Sequence, residues 1–128
     1  MLPTFLLEDG LRHEDGQSGV LDVSAESGRV LLLTLGITRI IEQESLDVSL
    51  YGSEDGETWG SKPLLSFPQK FYCGTYAMVL DLSGEPGVKY IRAQYKMGRW
   101  GRGTPAPLFG FYLAAEVAAV RPLAVATA

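Results

Sequence analysis

Apolar residues in this chain recur at every second position, in short runs cut by glycine-bearing turns. Leu46, Val48 and Leu50 alternate with Asp47, Ser49 and Tyr51, and Tyr76, Met78, Leu80 and Leu82 alternate with Thr75, Ala77 and Asp81. Ile91, Ala93, Tyr95 and Met97 oppose Tyr90, Arg92, Gln94 and Lys96; Phe109, Phe111, Leu113, Ala115 and Val117 form a last set. A period of two puts one set on a buried face and the other in water, which only an extended strand does. Turn signals stand between the runs at Ser27-Gly28, Asp55-Gly56, Cys73-Gly74, Ser83–Gly87 and Met97–Gly103. The 15 Gly and 7 Pro in 128 residues favour many turns over long helices. The expected fold is all-β: one antiparallel β-sandwich domain over residues 1–128, jelly-roll-like, with about eight strands. A chain of this length buries roughly two-thirds of its unfolded surface, enough for one self-sufficient core.

Charge and side-chain counts narrow the chemistry. Eleven basic against 15 acidic residues, a net charge of −4, argue against a nucleic-acid partner, which needs a basic face. One Cys forms no disulfide within the chain and no multi-Cys metal site. One His supplies no multi-His centre and argues against a Ser-His-Asp triad. The carboxylates fall on turns without a nucleophile and base beside them, so no enzyme, metal or cofactor is expected. The acidic stretch Glu8–Gly16 lacks EF-hand spacing and is expected as a solvated loop. Cys73, beside Phe71-Tyr72, is expected as a small buried residue. No apolar run reaches about 18 residues, so no membrane-spanning helix is expected. The amino-terminal run lacks a basic segment and ends in Glu8-Asp9, which is no signal peptide; a cytoplasmic or particle-assembled protein is expected.

The sharpest local motif is Tyr51-Gly52-Ser53-Glu54-Asp55-Gly56-Glu57-Thr58-Trp59. Glu54-Asp55-Gly56 suits a three-residue loop in which Gly56 takes positive φ, Asp55 accepts backbone N–H groups, and Thr58-Trp59 restart the partner strand. The motif looks like an Asp-box one residue short. It resembles more closely the Ser-x-Asp-Gly-x-x-Trp hairpin of discoidin-like (coagulation-factor C-type) domains, which often carry a later Tyr-Ile-Arg strand; Lys89-Tyr90-Ile91-Arg92 stands where that strand belongs. The paired Cys and early Trp of those domains are absent. A similar hairpin and strand recur in small β-sandwich proteins of tailed phages. The resemblance covers roughly Leu46 to Lys96 and implies a structural role for Ser53, Asp55, Gly56 and Trp59.

Gly98-Arg99-Trp100-Gly101-Arg102-Gly103 places an aromatic ring between two guanidiniums on a glycine-flexed tip. Such a loop suits stacking on a sugar, docking a carboxylate, or anchoring a protein partner. Arg92 and Lys96, on the outward set of the preceding strand, are expected to extend the patch formed by Arg99, Trp100 and Arg102. Val30-Leu31-Leu32-Leu33 is apolar on both strand faces, one more than a single core uses. Two functions follow. The first is a non-enzymatic, self-associating structural module. The second, implied by the resemblance, is a carbohydrate- or ligand-binding module that uses the Arg99-Trp100-Arg102 loop.

Overall fold

A computed structural model of the chain describes residues 4–24, 30–40, 44–99 and 108–117. These residues form nine strands and no helix. The strands are β1 (Thr4–Arg12), β2 (Gly16–Gln17), β3 (Leu21–Asp22), β4 (Val30–Ile40), β5 (Glu44–Ser53), β6 (Leu65–Ser66), β7 (Gly74–Asp81), β8 (Tyr90–Arg99) and β9 (Phe109–Val117). One sheet has the order β1-β9-β4-β7; the other runs β2-β8-β5-β6, with β3 also on β8. All pairings are antiparallel.

β2 and β3 behave as one strand with a break. Between them, the Ser18 N–H donates to the Ala93 carbonyl and the Ala93 N–H donates to Ser18 Oγ, each at 2.8 Å. Ser18 Oγ donates in turn to the Gly19 carbonyl. Counting β2 and β3 once leaves eight strands, in sheet orders 1-8-3-6 and 2-7-4-5. That order is the jelly roll, two Greek keys folded into a sandwich.

The inward set of every long strand meets in one cluster. β4 contributes Leu31, Leu33, Leu35 and Ile37, and β5 contributes Leu46, Val48 and Leu50. Ile91 and Ala93 come from β8, and Phe109, Phe111, Leu113 and Ala115 from β9. Each buried Leu, Ile or Phe contributes about 1.5–3 kcal/mol. Tyr76, Met78, Tyr95 and Met97 follow the alternation but are half-buried at the rim. Val117, last in β9, is exposed.

Gly36, the breaker expected near the middle of the Val30–Ile40 run, does not end the strand. It pairs with Thr75 on one side and Tyr112 on the other. The Tyr112 ring lies over it, so that a Cβ at position 36 would stand 2.2 Å from the ring's Cζ. An aromatic ring thus occupies the space of the missing side chain. The irregularity falls later, between Ile37 and Arg39 in the pairing with β9.

Three local expectations are corrected. Glu8 and Asp9 lie in β1 and not in a loop, because β1 reaches Arg12 by shifting register twice against β9. Thr58-Trp59 do not restart a strand: β6 begins only at Leu65, so residues 54–64 form a long connection. Cys73 is exposed, because Phe71–Cys73 cross at the surface from one sheet to the other.

Candidate functional site

The Ser53–Trp59 segment is organised by two small side chains. Ser53, 5% exposed at the end of β5, accepts at Oγ the N–H groups of Asp55 and Gly56. The same hydroxyl donates to Asp55 Oδ1 at 2.9 Å, and that oxygen accepts the N–H groups of Glu57 and Thr58, both at 2.8 Å. Four backbone N–H groups converge on two oxygens, and the chain turns around them. The Thr58 and Glu57 amides, then the Ser53 hydroxyl, hold the Asp55 carboxyl down to about 2. Gly56 takes φ of 81°, the left-handed region where a Cβ is strained. The turn engages Asp55 through Oδ1, which accepts three hydrogen bonds within it. A cleft of about 610 Å³ lies beside it, lined in part by Glu54, Asp55 and Glu85. No metal-holding group of three such ligands exists among the described residues.

Trp59 folds back under β8, where the Arg92 guanidinium lies 4.4 Å from its ring centroid. Arg92 stands opposite Tyr51 in the β5–β8 ladder. Its Nε is buried and has no hydrogen-bond partner among the described residues. Further along this outer face, Ser49 and Ser66 share a hydroxyl bond of 2.9 Å, and Gln69 donates to Asp47 Oδ2. The outer side of the five-stranded sheet is therefore polar.

Arg92 does not extend the Arg99-Trp100-Arg102 patch. Arg99 is the last residue of β8, opposite Glu44, and Arg92 is seven residues away on the same strand. At about 3.3 Å per residue the two are roughly 23 Å apart. Arg92 belongs with Trp59 at the other end of the sandwich. Trp100, Arg102 and the Arg99 side chain lie outside the described residues.

Sequence reading missed three polar side chains that tie distant parts together. Glu44, 1% exposed, accepts the Leu108 N–H at 2.8 Å, joining the start of β5 to the start of β9. Ser18 bridges the β2–β3 break. Arg12 donates to the carbonyls of Glu8, Gly10 and Phe111, while its guanidinium sits 4.7 Å from the Phe111 ring centroid. Each reaches one partner 64 to 99 residues away, and no local pattern marks such bonds.

The outer side of the four-stranded sheet has the opposite character. Phe5 is 53% exposed and Val79 is 54% exposed. Between them run half-buried Tyr112, Ala114, Leu32 and Thr34. Phe5 meets Tyr112 edge-on at 5.8 Å, and Leu32 stands opposite Val79. The apolar second face of the Val30–Leu33 run is thus continued across all four strands.

No protein-family model and no curated protein matches the sequence. Among solved structures, a chain in the structure of infectious bursal disease virus Gx strain is similar at TM-score 0.53 and 9% identity, over 93% of this chain and 33% of that one. The K1 cleaved adhesin domain of Lys-gingipain from Porphyromonas gingivalis W83 is similar at TM-score 0.46 and 13% identity, over 88% of this chain and 66% of that one. This chain therefore spans less than two thirds of the length of either. At such identity the viral likeness speaks to fold alone, and the fold is an all-β antiparallel sandwich. The discoidin-like resemblance remains one of motif, confined to the Ser53–Trp59 turn and the Tyr90–Arg92 strand.

Proposed function

We propose that this chain is a non-enzymatic structural β-sandwich that associates with copies of itself, an assembly component of the phage-particle kind. One observation carries the reading: Phe5, Tyr112, Ala114, Leu32 and Val79 set an apolar band on the outer side of the four-stranded sheet. The fold already has its core between the sheets, and an apolar second side adds nothing to a monomer. A contiguous face of this kind is what association buries. The fold likeness to a chain of a virus structure is compatible with assembly and adds no residue-level support.

A second reading, a carbohydrate- or ligand-binding module, draws on Arg92. A guanidinium stacked on Trp59, with a buried Nε lacking a partner among the described residues, suits a carboxylate-bearing sugar.

Light scattering on the full chain separates the two. A mass at a multiple of 13.9 kDa at micromolar concentration is the expected result. A monodisperse monomer would remove the first reading. The second would then be read by titrating a uronic-acid oligosaccharide against the fluorescence of a Trp100→Phe variant, whose single tryptophan is Trp59.

A further inference from the structure

The four strand edges of the sandwich are not equally open. β2 and β3 form one edge that breaks between Gln17 and Leu21, and β6 has two residues, so neither edge templates a long pairing. β1 is long, but its register shifts twice, and Arg12 folds back onto the Glu8 and Gly10 carbonyls. Bulges and an arginine turned onto the main chain are devices that blunt an edge. β7 has neither. Among the described residues it pairs with β4 alone, residue for residue from Gly74 to Asp81 without a shift. Its eight residues contain no Pro, no Lys and no Arg. Its outward side chains Thr75, Ala77, Val79 and Asp81 are exposed, and Ala77 and Val79 continue the apolar outer face described above.

We propose that the free edge of β7 pairs antiparallel with β7 of a second copy, joining two four-stranded sheets into one of eight. This rests on the self-association reading and assigns its contact. The occupant is a second copy because the strand fits itself. A two-fold axis at Met78 sets Ala77 opposite Val79, Tyr76 opposite Leu80, and Thr75 opposite Asp81. Asp81 is the strand's single charge, so no like charges meet. The axis stands perpendicular to the sheet, so both apolar outer faces lie on the same side. Leu32–Val79 of one copy then continues directly into Ala77–Thr34 of the other. Every pair places equal pleat positions together, as an antiparallel ladder requires.

Two double variants test the pairing at exposed positions. Ala77→Glu with Val79→Lys sets opposite charges against each other across the axis. Ala77→Lys with Val79→Lys sets like charges there. Both lose the same two apolar side chains, so the difference between them reads the opposed charges. The dimer dissociation constant, by sedimentation equilibrium, is expected to be weaker by about tenfold or more in the Lys/Lys variant than in the Glu/Lys variant. Equal constants in the two variants would overturn the edge pairing while self-association stands. A monomeric parent would remove the self-association reading itself. Amide exchange of the parent gives a readout without substitution: alternate amides of Gly74–Asp81 should slow as concentration rises. A foreign strand as the natural occupant would show as a monomeric parent whose β7 amides stay unprotected at every concentration, and it would overturn the proposal.

Discussion

Asp55 holds the turn through its Oδ1, and its titration has a definite sign. The folded carboxyl titrates near 2 against an ordinary 3.8, because amides of Thr58 and Glu57 favour the charged form. A depressed folded value contributes stability above the unfolded value and loses it as pH falls through the folded one. Asp22 and Asp81 are depressed in the same direction by the hydroxyls and amides of Ser24 and Ser83. Acid melting is therefore expected to steepen between about pH 4 and pH 2. Asp55→Asn should flatten that limb in a pH series of thermal melts; an unchanged slope would remove Asp55 from the account. Gly56 is constrained by backbone alone. A Cβ there would meet Tyr90 at an ordinary 3.5 Å, so only the φ of 81° opposes it. Gly56→Val is expected to destabilise by about 1–3 kcal/mol in urea unfolding, with the denaturant slope unchanged.

At the scale of the element, the strands were legible where alternation runs clean. Leu46, Val48 and Leu50 read as an inward set because Asp47, Ser49 and Tyr51 leave no other face apolar, and all three are buried. β4 was harder, with apolar residues on both faces, and its glycine signalled a break that the fold does not make. The reason lies on another strand: Tyr112, 76 residues on, covers Gly36. Gly36→Ala forces that ring aside and is expected to cost about 1–3 kcal/mol. In a Tyr112→Ser background the same substitution should become neutral or stabilising, since strand glycine is unfavourable once uncovered. Additive effects of the two changes would show that the ring does not fill this space. Cys73 was misread because Phe71 and Tyr72 suggested a buried cluster, whereas they flank a surface crossing.

For the molecule as a whole, composition and turn spacing were enough to reach a jelly roll, because eight amphipathic strands have few ways to bury one face each. The candidate site was less legible. Arg92 and Arg99 stand on one strand, and their seven-residue spacing already separates them; what the sequence did not show is that Trp59 folds back onto Arg92. Ser18, Glu44 and Arg12 were invisible for the reason given by their sequence separations. The outer apolar side was legible only as an excess at Val30–Leu33; Phe5, Tyr112 and Val79 joined it through pairings that no local pattern reveals.

The Arg12 fold-back on β1 sets a limit on growth. A sheet open at both edges adds copies without end and becomes a fibre. A sheet with one edge sealed has a valence of one: after a single two-fold pairing no edge remains for a third copy. Under the proposed edge pairing, the blunted β1 holds the stoichiometry at two, its two register shifts and the Arg12 fold-back each closing it to a further copy.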